Sequence, residues 1–436
     1  MDFNRKIIPY LEIWAKKPTR KPLILRGARQ VGKTSATLLF AKKNFKNIIH
    51  INMERPDQRR HFTNQMSLPE FEKIVNILFG KVFKENETLL FIDEIQETPH
   101  LVKLLRFFYE DRPKLHVIAA GSLFEVRLNQ EHISIPVGRV EFAYLYPLDF
   151  FEFLAAVNES RLLKYLKDFN FKEKIPQAIH FNLISLFNQY VLIGGMPEAV
   201  KTYALTKDLN QVNNIYANLL TSFKDDVYKY TSNQKVKYLS FVLEQSPLFA
   251  GLPITYERFA GGGYKSREIS EAFNLLEKAM ILKRIPATKS KDLPLLFKKK
   301  KPPKLIFLDV GLVNYQMGIQ PQYVNFKDLN DFYRGRIAEQ IVAQNIMASF
   351  ITQSADIFYW YKETGSEAEV DFCLTNAGNI IGFEVKSGKT GRLKSAAEFL
   401  KRVKDGKVIK ISSDVFEPKA KIISLPFYLL PRWNEL

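Results

Sequence analysis

The chain has 436 residues, 46% of them hydrophobic, and 64 Lys and Arg against 46 Asp and Glu give it a net charge of +18. That length can bury cores for about three domains, and a single cysteine, Cys373, excludes an intrachain disulfide, which agrees with a cytoplasmic location. No run of eighteen apolar residues occurs, so no membrane partner is expected, while the basic excess points to polyanions.

Met1 to Lys17 mixes charges with apolar residues at helical spacing and lacks the continuous core of a signal peptide. Residues 23 to 34 then read Leu-Ile-Leu-Arg-Gly-Ala-Arg-Gln-Val-Gly-Lys-Thr, an apolar strand running into a loop of Gly27, Ala28, Arg29, Gln30, Val31, Gly32, Lys33 and Thr34. A turn that allows close backbone approach points N–H groups at phosphate oxygens, and a helix starting near Lys33 adds its positive end. The spacing predicts ATP binding, with Lys33 reaching the β- and γ-phosphates and the Thr34 hydroxyl on Mg²⁺. Leu89 to Asp93 is a second apolar strand, ending in Asp93 and Glu94 sixty residues after the loop. Parallel α/β sheets place ligands at the carboxyl ends of strands, so Asp93 is expected on the metal and Glu94 on the attacking water.

A third strand, Leu115 to Gly121, delivers Ser122, either a sensor of the γ-phosphate or water, or a serine opening the next turn. Gly138-Arg139-Val140 follows, then Tyr146-Pro147-Leu148. Arg139 is either an ordinary solvated charge or, in a homo-oligomer, a group that reaches the neighbouring subunit's nucleotide. Together with the loop and the Asp93-Glu94-Ile95-Gln96 box, these runs resemble the prokaryotic AAA-type ATPases that carry a C-terminal domain of unknown function, DUF4143. That group is similar to archaeal-type ATPases near the STAND and origin-recognition clades. Gly194-Gly195-Met196-Pro197 also resembles it, at a position that the resemblance assigns to a helical lid.

Farther on, Val236, Leu239, Val242 and Leu243 share a helical face, and Ser266 to Met280 reads as an amphipathic helix after the Gly261 to Gly263 turn. A hairpin of Ile281–Ile285 and Lys304–Leu308 completes a winged-helix pattern. Its connecting segment, Lys283 to Lys304, holds nine basic residues against one acid and includes Lys298 to Lys301 before Pro302 and Pro303. It is expected to project as a wing on nucleic-acid phosphates, with protein contact as the alternative.

Glu339 lies in an apolar-periodic helix from Asp331 to Ala348, with Phe332 on its buried face. Strands follow at 357–361, 369–374 and 380–387, the last two joined by an Asn-Ala-Gly-Asn turn. Alternation sets Glu384 and Lys386 on one face, with Asp371 close by across the hairpin. Two carboxylates and a lysine there can hold a divalent metal, activate water and neutralise a scissile phosphate. The arrangement resembles the PD-(D/E)xK nuclease core, which implies Glu339, Asp371 and Glu384 as metal ligands and Asp371, Glu384 and Lys386 as catalytic. A degenerate nucleic-acid-binding module and a plain ion pair remain open. Lys389, Arg392, Lys394 and Lys401 either extend a positive surface or are ordinary exposed helix residues.

The expected fold is α/β: a P-loop AAA-type parallel core over 1–150, a helical lid over 151–230, a winged helix over 231–322 and a restriction-endonuclease-like domain over 323–436. The expected function is ATP hydrolysis coupled to nucleic-acid binding, DNA favoured, with metal-dependent cleavage as a further step. The alternative is a STAND-like signalling switch whose C-terminal part binds proteins.

Overall fold

In the computed structural model, residues 3–62, 65–122, 124–229, 231, 233–298, 300–319, 335–363, 368–386, 393–418 and 421–436 are described. Phe332, Lys299, Lys389, Arg392 and the boundary expected at 322 lie outside them. The chain forms two compact units: residues 1–146 with 278–280 and 350–354, and residues 147–277, 281–349 and 355–436. The boundary expected at 150 falls near that division, and the one expected at 230 falls inside the second unit.

The first unit is built on five strands: β1 (Leu23–Arg26), β2 (Asn47–Asn52), β3 (Thr88–Asp93), β4 (His116–Gly121) and β5 (Glu141–Tyr144). They lie in the order β2-β3-β4-β1-β5, with every pairing parallel. β3 and β4 are buried at every residue, as strands covered on both faces must be, which is why their sequences run apolar without alternation. Parallel pairing brings the carboxyl ends of β1, β3 and β4 to one edge of the sheet, where the segments after Arg26, Asp93 and Gly121 gather. The Lys33–Asn44 helix follows β1 directly, capped by Gly32 at φ 93°, a left-handed conformation that glycine adopts without strain.

In the second unit, the segment expected as a lid is helical: Gln177–Ile193, Pro197–Thr206 and Leu209–Lys229. The helices Asn233–Gln245 and Ser266–Lys278 come next. Three short strands follow, β6 (Leu282–Ile285), β7 (Ala287–Thr288) and β8 (Lys304–Phe307), and β6 pairs antiparallel with β8. Then come the Arg336–Ala348 helix, β9 (Phe358–Tyr361), β10 (Glu369–Asn376), β11 (Asn379–Val385), β12 (Lys407–Ser412), β13 (Glu417–Pro418) and β14 (Ile422–Pro426). The second sheet runs β13-β14-β12-β11-β10-β9-β7.

The basic segment therefore differs from a free projecting wing. β7 within it pairs with β9, the Lys298 amide donates to the Ala287 carbonyl at 2.8 Å, and Thr288 bridges to Phe297. Several of its cations are also committed: Lys283 and Arg284 to Glu277, and Lys289 to Glu363. Lys304, counted with the wing by sequence, is only 3% exposed.

One buried carboxylate explains the glycine pair at 194–195. Asp309, fully buried ahead of the Val310–Gln316 helix, accepts hydrogen bonds from the amides of Gly195 (2.6 Å) and Gly311 (2.9 Å) and from Gln344 Nε2 (2.9 Å). The Tyr216 hydroxyl lies 3.2 Å from its Oδ1, the oxygen that Gly311 also meets. Gly194 sits at φ 86°, and a Cβ there would come 2.1 Å from Asp309 Oδ1. Burial pushes the Asp309 carboxyl up to about 6. This single side chain thus ties the end of the Gln177–Ile193 helix to the Leu209–Lys229 and Arg336–Ala348 helices.

Candidate functional sites

At the carboxyl edge of the first sheet, Lys33 is buried and donates to the carbonyls of Gly27 (3.0 Å) and Ala28 (2.9 Å), so its ammonium spans the loop. The Thr34 hydroxyl donates to Asp93 Oδ2 at 2.8 Å, joining the loop after β1 to the tip of β3 across the intervening β4. Asp93 is buried at 1% exposure. Glu94, next along, sits in a left-handed conformation (φ 51°), and Gln96 Nε2 donates to its Oε2 at 2.5 Å. The Ser122 hydroxyl lies 3.5 Å from the same oxygen. Five of the six expected groups are thus brought together: Lys33, Thr34, Asp93, Glu94 and Ser122.

The rest of the loop has its own supports. Gln30 has φ 63°, and Arg29 pairs with Glu54 at 2.7 Å. The Val31 carbonyl accepts from Arg5 Nη1 at 2.7 Å, while Arg5 Nη2 reaches the Tyr146 carbonyl at 2.6 Å. Arg139 stands apart from the cluster in the described chain, paired with Glu110 at 2.8 Å and over the Tyr109 ring.

Sequence reasoning missed Arg5 and His50, whose Nε2 lies 3.5 Å from Asp93 Oδ2, and named Gln96 only within its box, without a role. A lone arginine twenty-six residues ahead of its partner leaves no local signal. The role of Gln96 was within reach, because it stands two residues past a carboxylate at the end of a strand.

In the second unit, β10 and β11 pair with Phe372 opposite Phe383, which sets Asp371 beside Glu384 as the hairpin predicts. The Arg336–Ala348 helix brings Glu339 to the same place. Lys386 Nζ lies 2.6 Å from Glu384 Oε1, and Asp371 Oδ2 accepts from the Val385 amide at 2.7 Å. The premise that these carboxylates need a metal to offset their repulsion is corrected by Lys304. Its Nζ lies 2.9 Å from Glu339, 2.8 Å from Glu369 and 3.5 Å from Asp371, above the rings of Tyr359 and Phe372.

Burial, then the neighbouring Asp371, raises Glu339 to about 8 and Glu384 to about 7. Asp371 is also raised, mainly by burial, although Lys304 and the Val385 amide oppose the rise. The carboxylates around it hold the Lys304 ammonium protonated against the cost of its burial. Glu384 Oε2 is buried with no hydrogen-bond partner among the described residues. Also among the described residues, no group of three or more His, Cys, Asp or Glu side chains is gathered as a metal site. Sequence reading placed Lys304 at the start of a strand but counted its charge with the basic run, so its place among the carboxylates was missed.

A family profile described as an AAA domain matches residues 19–154, the span that contains the loop, Asp93 and Glu94. The chain carries an AAA domain. Beyond it, residues 184–323 match a domain of unknown function, DUF8612, and residues 334–428 match another, DUF4143. An uncharacterized protein of Methanocaldococcus jannaschii is 25% identical over 228 residues, 52% of this chain. The chain spans 43% of that relative's length.

Solved structures similar to the chain include the Thermotoga maritima RuvB Holliday junction branch migration motor, 14% identical, covering 68% of this chain and 93% of that one with a TM-score of 0.32. The Aeropyrum pernix ORC1 protein, solved in complex with DNA, is 14% identical over 74% of this chain and 95% of that one, TM-score 0.33. C. elegans PCH-2 is 11% identical over 47% and 62%, TM-score 0.29. At such scores the likeness carries nothing about what this AAA domain binds. Among the described residues no helix is long and apolar enough to cross a membrane.

Proposed function

We propose that the protein is an ATP-hydrolysing AAA-type ATPase that couples its nucleotide state to nucleic-acid binding. The observation that carries this is the hydrogen bond from Thr34 to Asp93 beside a lysine that spans its own loop. The loop 27–34 is the phosphate cradle, and Lys33 exchanges its two carbonyl partners for phosphate oxygens when nucleotide enters. Thr34 and Asp93 would hold Mg²⁺, which supplies charge neutralisation at the phosphates. Glu94 orients and deprotonates the attacking water, held at rest by Gln96, and Ser122 senses the same position. Arg139 acts across a subunit boundary in a homo-oligomer, leaving Glu110 to do so.

The helices 233–245 and 266–278 with the β6/β8 hairpin serve as a winged helix, and Lys298 to Lys301 rest on phosphates. The Glu339, Asp371, Glu384 and Lys386 cluster is the candidate for phosphodiester cleavage. Cleavage would need a divalent cation to supply water activation, and Lys304 stands between Glu339 and Asp371 in its place. Lys386 neutralises the phosphate charge.

The test is ATP turnover with and without DNA across a salt series, for wild type and Lys33→Ala. Turnover that responds to DNA in a salt-dependent way, and is lost in Lys33→Ala, supports the coupled ATPase. Indifference to DNA together with slowly exchanging nucleotide returns the signalling-switch reading.

A further inference from the structure

The basic segment between β7 and β8 carries an apolar edge. Leu296 is 61% exposed and Phe297 57%, with Leu293 also exposed near the tip. Lys298 to Lys301 follow directly, and Lys289 and Lys291 precede. Single exposed hydrophobics are ordinary on a protein surface, whereas a group of them set among cations marks a place where something binds.

The edge is held in place. The Thr288 hydroxyl donates to the Leu296 carbonyl at 2.8 Å, and the Leu296 amide donates to Ser290 Oγ at 2.9 Å. Thr288 bridges to Phe297, and the Lys404 amide donates to the Lys291 carbonyl at 3.1 Å. Leu295 packs against the buried cluster that contains Trp360, Val370 and Phe399. With Leu295 turned inward and the backbone tied on both sides, Leu296 and Phe297 are kept out of that core.

Charge narrows what the edge fits. Lys289, Lys291, Lys298, Lys300 and Lys301 stand against Asp292 and Glu363. Glu363 is paired with Lys289, which lowers its carboxyl most, and Lys298 and Lys291 lower it further, so all three ammonium groups lie within reach of one carboxylate. Lys300 and Lys301 are exposed, and Lys301 Nζ lies 4.8 Å above the Tyr361 ring. A duplex would satisfy the lysines through its phosphates but keeps its base faces stacked inside. A single strand offers phosphates and open base faces together. An anionic membrane also joins charge to an apolar layer, but Asp292, exposed beside Leu293 at the tip, would meet headgroups of its own sign.

We infer that this edge binds single-stranded nucleic acid, with a base stacked on Phe297 beside Leu296 and the phosphates running along Lys298, Lys300 and Lys301. The inference rests on the reading of the basic segment as a nucleic-acid surface, proposed above, and narrows it to strands whose bases are free.

The experiment is fluorescence anisotropy on the full chain with labelled probes: an unstructured DNA strand of about twenty nucleotides, an abasic strand of the same length, and a duplex. Wild type is expected to bind the base-bearing strand about tenfold more tightly than the abasic one, and Phe297→Ala to bind the two alike. Phe297→Trp should restore the preference, which separates stacking from a change of hairpin shape. The slope of log affinity against log salt should be the same for wild type and Phe297→Ala, because stacking releases no counterions. Lys300→Ala with Lys301→Ala should instead flatten that slope by about 0.7 per lost contact and keep the preference for bases.

Equal affinity of wild type for the base-bearing and abasic strands overturns the inference and leaves the nucleic-acid reading standing, and so does a preference that Phe297→Ala retains. Binding to neither strand nor duplex removes both. Binding to phosphatidylserine vesicles that Phe297→Ala loses, without any preference for bases, overturns the inference and assigns the edge to a membrane.

Discussion

Each unit buries one lysine at the centre of its candidate site, and the two are held by different chemistry. Lys33 is met by the carbonyls of Gly27 and Ala28, neutral dipoles that it can give up to a phosphate. Lys304 is met by three carboxylates, at least one of which must stay charged to keep it protonated. The difference teaches that a buried lysine is not one kind of feature. One surrounded by carbonyls is poised to recruit a negative ligand, whereas one surrounded by acids is already satisfied and keeps other cations out.

The strongest way to break the contrast is at the nucleotide site. Lys33→Ala should abolish nucleotide binding, while Glu94→Gln should keep binding and lose about 10² to 10⁴ in turnover, as residues that position or deprotonate water do. Nucleotide titration and steady-state hydrolysis separate the two, and a Glu94→Gln protein with wild-type turnover removes the role given to Glu94. At the other lysine the large effect should be on stability. Lys304→Met is expected to lower the stability of the second unit by about 3 to 5 kcal/mol, the cost of stranding its buried partners. Denaturant unfolding in chelator measures it, and a loss near zero would mean that the carboxylates do not depend on Lys304.

The basic segment should give a smaller, salt-dependent effect. Replacing Lys298 to Lys301 with Ala is expected to flatten the plot of log DNA affinity against log salt by roughly three to four units, at about 0.9 per lost phosphate contact. An unchanged slope would put these lysines elsewhere.

A further effect is one of pH, and it differs in sign between the units. Asp309, Glu384 and Glu339 have carboxyls raised to about 6, 7 and 8, so the folded second unit holds more protons than the unfolded chain above their ordinary values. The stability they contribute is fully present below about pH 4 and is lost as pH rises through 6 to 8. His116 in the first unit is lowered from 6.5 to about 4, chiefly by burial, so its contribution grows as pH rises over that interval. Hydrogen exchange of β3 and of β11 between pH 5 and 8 should therefore show protection failing first in β11.

The cluster at the carboxyl edge of the first sheet was legible because its residues are local in sequence: a loop of eight residues, and a strand ending in two acids. The C-terminal carboxylates were legible too, since a hairpin with an evident turn fixes which residues face one another. What could not be read were the contacts that jump along the chain. Arg5 supports Val31 from just ahead of the Ile7–Lys16 helix, where nothing in the sequence signals it. Lys304 was read as the start of a strand and as one more cation of a basic run, because neither reading shows that acids from a later helix and strand gather around it. β7 is two residues long and has no signature, yet it fixes the basic segment to the second sheet.

The Asp309 junction carries a consequence for how this sequence can vary. Gly194 and Asp309 are separated by more than a hundred residues, but they occupy one volume: the glycine is required because the carboxylate lies where its side chain would be. A larger residue at 194 and a shortened one at 309 each break the same set of bonds, so their combined cost should fall well short of the sum. Two distant positions then drift together or not at all, and the helices that meet at Asp309 are inherited as one piece.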